Sequence, residues 1–185
     1  MKKIHLALIL GLCSTAALAA PSAPAACAEC HGANGVATAS GVPHLNGQLA
    51  EYLSDTMEAF KAGKRPSSTP THADPALTEK DIADLSKFYA KQKKAQRPEQ
   101  AADPAKVAAA EDLYKRRCSK CHVFGGRDSD HDAPLMAGQS LEYLQKQTEA
   151  YVSGKRKFPF LMDEAYLGLS KEELERLSHY FASQR

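Results

Sequence analysis

The chain has 185 residues, 43% of them hydrophobic and 25% charged, with five cysteines, no tryptophan and a formal charge of +2. That composition belongs to an ordinary folded protein and excludes intrinsic disorder and a polytopic membrane protein, while the near-neutral charge offers no concentrated basic surface for a nucleic acid. The odd cysteine count leaves one thiol over if the others work in pairs.

In chain order, residues 1–20 come first: Met-Lys-Lys, an apolar run from Ile4 to Leu18, then Ala-Leu-Ala-Ala. A positive start, a short apolar stretch and small residues at the end predict a secretory signal peptide cut after Ala19 or Ala20. The run falls short of the roughly 20 residues a bilayer span needs, so no transmembrane anchor is expected after cleavage. Cys13 would leave with the signal, because Leu12 before it is too large for a lipid-attachment site. The remaining four cysteines would then work in an exported, oxidising compartment, and loss of Lys2 and Lys3 leaves 22 basic and 22 acidic residues.

Those cysteines stand as Cys27-Ala-Glu-Cys30-His31 and Cys118-Ser-Lys-Cys121-His122, an offset of 91 that persists well beyond them. Pro43 matches Pro134, Gly47-Gln48 matches Gly138-Gln139, Tyr52-Leu53 matches Tyr143-Leu144, and Gly63-Lys64-Arg65 matches Gly154-Lys155-Arg156. One inserted residue later, Leu77-Thr78 matches Leu169-Ser170 and Phe88-Tyr89 matches Tyr180-Phe181. The chain is two homologous modules of about 80 residues. Each is small enough that burial of protein alone is marginal, so a large apolar cofactor is expected to complete its core.

Residues 49–62 and 140–153 predict matching amphipathic helices, each stopped near a glycine. Thr78-x-x-Asp81 and Ser170-x-x-Glu173 predict capping boxes at two further helix starts. The polar stretch 91–106 reads as a connection, and within it Asp103-Pro104 predicts an N-cap and first helical position. No segment alternates as a strand, so the chain is expected to be all-α. The predicted boundaries are 1–20 for the signal, 21–92 for the first domain, 93–103 for the linker and 104–185 for the second.

Cys-x-x-Cys-His is the attachment sequence of c-type haem: two thioether bonds fix the porphyrin edge and the adjacent histidine reaches the iron. A disulfide between cysteines three apart, or zinc on four thiolates, would leave unexplained the histidine after both pairs and the position of each pair at the head of its own repeat. Two haem c groups are expected, held by Cys27 and Cys30 and by Cys118 and Cys121, with His31 and His122 as proximal iron ligands.

These motifs, together with Pro-x-x-x-Gly-Gln at 43–48 and 134–139 and Tyr-Leu followed by Gly-Lys-Arg, resemble the class I c-type cytochromes, and among them the two-haem cytochrome c4-like group. The resemblance covers nearly all of the chain after the signal. It implies two tandem cytochrome c domains relaying single electrons in the bacterial periplasm, as an electron carrier and not an enzyme. It also implies that the Pro43 and Pro134 carbonyls orient the proximal histidines, and that Gln48, Arg65, Gln139 and Arg156 lie near the haem edges. A solvated surface role stays open for the two arginines.

In such proteins methionine usually binds the iron's other face. Met162, 40 residues after His122, is the candidate for haem two, whereas Met136 matches Leu45 and reads as packing. The first module offers no methionine at the matching place, but His72 lies 41 residues after His31. His72 is therefore the distal candidate for haem one, with Met57, His44 or no protein ligand as the alternatives. His131 and His179 read as solvated or core residues. The expected partners are redox proteins: a terminal oxidase, a dehydrogenase or a flavoprotein. Cys118-Ser-Lys-Cys121-His122-Val-Phe-Gly-Gly also resembles the cytochrome subunit of flavocytochrome c sulfide dehydrogenase, which gives the alternative of a stable flavoprotein complex.

Overall fold

The structure is a computed structural model that describes residues 24–93, 97–130, 133–157 and 160–185; the expected signal, Cys13 and His131 lie outside the described residues. Among the described residues the regular elements are all helical, as expected: α1 (Ala25–His31), α2 (Ala50–Lys61), a 3-10 turn (Pro70–Ala73), α3 (Glu79–Ala90), α4 (Pro104–Arg117), the single distorted turn α5 (Val123–Gly126), α6 (Leu141–Val152), α7 (Phe160–Tyr166) and α8 (Lys171–Ser183).

Local chemistry sets these boundaries. Both capping boxes form: the Thr78 and Ser170 hydroxyls accept from the backbone N–H groups of Asp81 and Glu173, whose carboxylates accept in return from the cap N–H groups. Asp103 accepts from the N–H groups of Ala105 and Lys106 ahead of Pro104, meeting donors that the first helical turn cannot satisfy internally.

The repeat is also a repeat of contacts. Helix α2 packs on α3 as α6 packs on α8, and the Gly47 and Gly138 N–H groups donate to the carbonyls of Tyr89 and Phe181, each at 2.9 Å. The Gly35 carbonyl accepts from Leu45 and Asn46 as the Gly126 carbonyl accepts from Met136 and Ala137. Both glycines sit at φ +81, and a Cβ would lie 2.7 Å from the Asn46 nitrogen in one case and 2.8 Å from the Met136 Cβ in the other. Glycine is the residue that fits both the conformation and the approach.

The modules differ where the second adds α4. This helix packs on α8, stacking Tyr114 on Tyr180 at 4.6 Å within a core that includes Leu113, Leu144, Leu174, Leu177 and Phe181. The Tyr114 hydroxyl donates to the His122 carbonyl and accepts from the Gly125 N–H, both at 2.7 Å, so α4 braces the residue after the cysteine pair. In the first module, α1 begins two residues before Cys27, and Ala37, Leu53, Ile82 and Tyr89 are its buried apolar side chains among the described residues.

The two modules meet through reciprocal contacts. Gln48 donates to the Leu135 carbonyl at 3.1 Å and accepts from its N–H at 2.9 Å. At matching positions, Gln139 donates to the His44 carbonyl at 3.0 Å and accepts from its N–H at 2.7 Å. Arg65 donates to Tyr143 at 2.8 Å, and Arg156 reaches the hydroxyl of Tyr52. Each module thus offers the other the same patch, the arrangement of a two-fold dimer within one chain. Arg97, in the stretch read as a linker, donates to the Ala137 carbonyl at 2.5 Å and the Asn46 carbonyl at 3.4 Å. Those carbonyls are themselves repeat equivalents, so the connection takes part in the interface.

Candidate haem sites

In both modules the residues after the cysteine pair are held alike. His31 Nδ1 donates to the Pro43 carbonyl and His122 Nδ1 to the Pro134 carbonyl, each at 3.0 Å. A carbonyl can only accept, so the proton sits on Nδ1 and each Nε2 keeps its lone pair, the form a metal requires. Burial lowers both pKa values, against an opposing contribution from the proline carbonyl. Cys27, Cys30, Cys118 and Cys121 are all without disulfides. Among the described residues no three or more histidine, cysteine or acidic side chains gather as a metal-holding set, so the two pairs stay apart at the heads of their modules.

In the second module, His122 and Met162 line one mainly apolar cleft with Met136, Leu144, Tyr166 and Phe181. The sequence places Met162 in the site and misses that Met136 also lines it.

In the first module, His72 lies in the 3-10 turn with its ring centroid 6.0 Å from that of His31 and 4.6 Å from that of Phe60. Two imidazoles bound to one metal from opposite sides, with metal–nitrogen bonds of about 2.0–2.1 Å, place their centroids about 6 Å apart. The single hydroxyl proton of Ser67 goes to the Thr69 carbonyl at 2.8 Å. The 2.8 Å bond from Ser67 to His72 Nδ1 is therefore donated by the histidine, which leaves its Nε2 free. Burial, then His31 and Arg65, push the His72 pKa down to about 4. Met57 is half-buried on α2. His179 takes the core role, accepting from the Asp103 N–H at 3.0 Å.

The arginines correct the surface reading. Arg65 is 8% exposed and bonds to the neutral Thr56, Tyr143 and Gln147, while Arg156 lies over the Tyr151 ring at 4.4 Å. Burial would raise the Tyr52 pKa, but Arg65 and Arg156 outweigh it and pull it below its ordinary value. Tyr52 belongs to the first module and lines the second module's cleft. A buried cation whose partners are neutral suits an acidic ligand, and haem carries two carboxylates. The Nε2 atoms left unbonded by the Nδ1 anchors of both modules, the apolar cleft of the second and these guanidinium groups fit haem as the ligand.

His44 is not in that arrangement. It is 3% exposed and its Nδ1 accepts from the Ala37 N–H at 3.0 Å, so it is neutral in the fold. Burial, then Arg97 and His31, lower its pKa to about 4. The unfolded chain takes up this proton near pH 6.5, so the folded state loses stability as pH falls from about 6.5 to 4, by at most about 3 kcal/mol from this residue. Denaturant unfolding across that range should show the slope, and a His44→Gln variant should make it shallower.

The cytochrome c family matches residues 20–93 and 107–185. The chain belongs to the cytochrome c family. It is 30% identical to cytochrome c4 of Pseudomonas aeruginosa over 96% of this chain and 95% of that protein. It is 28% identical to the thiosulfate dehydrogenase electron acceptor of Thiomonas intermedia, over 90% of this chain and 82% of that protein. The crystal structure of reduced cytochrome c4 from Pseudomonas stutzeri superposes with a TM-score of 0.74 at 27% identity, covering 87% of this chain and 94% of that one. Two tandem cytochrome c domains make the protein a di-haem electron carrier rather than an enzyme, with one haem c in each domain.

Proposed function

We propose that the protein relays single electrons in the bacterial periplasm from a dehydrogenase to a downstream acceptor, through two haems of unequal potential. The observation that carries this reading is the repeated cysteine pair whose following histidine is anchored through Nδ1 to a proline carbonyl. Haem, when bound, supplies a one-electron iron couple. Cys27 and Cys30 would hold it in domain 21–92, and Cys118 and Cys121 in domain 104–185, with 93–103 joining them. His31 and His122 would serve as proximal iron ligands through Nε2, with Met162 as the distal ligand in domain two and His72 in domain one.

Histidine in place of methionine lowers a haem's potential, so electrons enter at domain one and leave from domain two. The names of the Thiomonas intermedia and Stutzerimonas stutzeri relatives, thiosulfate dehydrogenase electron acceptors, support a dehydrogenase as the donor. A stable flavoprotein partner would instead appear as a yellow subunit on co-purification. The export segment 1–20 supports the compartment. Among the described residues no helix is long and apolar enough to cross a membrane.

Covalent haem is tested by an alkaline pyridine spectrum and haem staining of a denaturing gel. The expected result is two haem c per chain that survive denaturation and acid-acetone extraction. Extractable haem, or fewer than two equivalents, contradicts the assignment.

A further inference from the structure

The two modules have unlike surfaces. The large apolar side chains left exposed among the described residues, Phe124, Val152, Phe160, Leu161 and Leu167, all fall in the second module. Three of them, Phe160, Leu161 and Leu167, lie on α7 or directly after it. Met162 and Tyr166, four residues apart on this helix, face the haem cleft; helical periodicity turns positions 160, 161 and 164 away from it, and Leu167 follows directly after the helix. Phe160 is 75% exposed, Leu161 63% and Leu167 76%. Arg117 donates to the Leu167 carbonyl at 3.4 Å, and the Tyr151 and Tyr166 rings lie 6.4 Å apart. The end of α4 therefore borders the outer face, while the end of α6 meets α7 on its cleft side.

Charge follows the same asymmetry. Exposed Arg116, Arg117 and Lys120 surround the second cysteine pair, and Lys155 and Lys157 lead toward α7, against Asp163 and Glu164 on it. At the positions equivalent to 116, 117, 120 and 157 the first module has Ala25, Ala26, Glu29 and Pro66, and only Lys155 has a basic counterpart, Lys64. An apolar patch held exposed to water marks an interaction site, and a basic rim steers a partner of opposite charge onto it.

We propose that the outer face of α7, centred on Phe160 and Leu167, is the docking surface for a one-electron redox protein whose own apolar patch is ringed by carboxylates. The proposal rests on the electron-relay reading and names its partner surface. A second copy fits poorly, because two-fold pairing would oppose two basic rims. An anionic membrane fits poorly, because Asp163 and Glu164 stand on α7 itself.

The test uses the full-length, haem-loaded, reduced protein and stopped-flow oxidation by plant plastocyanin, a copper protein with an apolar patch flanked by carboxylates. Phe160→Ser with Leu167→Ser should lower the second-order rate constant about tenfold at low ionic strength, while oxidation by ferricyanide stays within about twofold. Lys120→Glu should weaken the fall of the rate with salt. An unchanged plastocyanin rate, a wild-type rate insensitive to salt, or an equal loss with ferricyanide each overturns the proposal. A wild-type dimer in sedimentation that the same substitutions dissociate overturns it in favour of a second copy. Failure of the relay itself would show separately, as missing haem or no reaction with ferricyanide.

Discussion

Replacing His72 with methionine is expected to raise the potential of the first haem by on the order of 100 mV, within the roughly 0.8 V over which axial ligands set haem potentials. In a spectroelectrochemical titration the wild type gives two separated waves, and His72→Met draws them together by moving the lower one. The physical basis is the pair of imidazoles, 6.0 Å apart and each with its Nδ1 proton already committed, one to Pro43 and the other to Ser67. His72→Ala removes the second imidazole without supplying a sulfur. It should convert half of the haem to a high-spin form that binds carbon monoxide, leaving the second haem's spectrum intact. Unchanged waves in the methionine variant, or a fully low-spin alanine variant, would refute bis-histidine ligation.

How much of this is legible in the sequence depends on the range of the interaction. Capping boxes at Thr78 and Ser170 and the Asp103-Pro104 start depend on neighbours within three residues, and all form. The attachment motifs are equally local, and the 91-residue repeat carries the domain plan because each module solves the same packing problem. Counting along matched loops also brings His72 to the neighbourhood of His31, where its ring lies. The interface is not legible in this way. Gln48, Arg65, Gln139 and Arg156 stand out as repeat landmarks, but an isolated sequence cannot say whether a repeated polar residue faces a ligand, solvent or the other repeat. Gln48 meets Leu135 across 87 positions and Arg65 meets Tyr143 across 78, and no periodicity reports on such a distance. The missed signal is the pairing of types: a tyrosine and an arginine, both repeated, are needed on both sides if each arginine is to bond the other module's tyrosine.

That symmetry makes the interface glutamines the second sensitive point. Gln48→Ala is expected to cost about 3 kcal/mol, because it strands a buried carbonyl and a buried N–H of Leu135 at roughly 1–3 kcal/mol for each unsatisfied group. Gln139→Ala should cost a similar amount by stranding the same two groups of His44. Differential scanning calorimetry of the haem-loaded protein should show one cooperative transition in the wild type. In either variant it should split in two, the first module melting earlier because no described counterpart of α4 braces it. The double variant should cost less than the sum of the two, since the second loss falls on an interface already opened by the first. Gln48→Glu separates the hydrogen bonds from packing: it keeps the acceptor for the Leu135 N–H, loses the donor to the Leu135 carbonyl and adds a buried charge. It should therefore be at least as damaging as alanine although it fills the same volume. A single transition shifted by under about 1 kcal/mol in all of these variants would mean that the modules cohere through Arg97 and the tyrosine–arginine contacts instead.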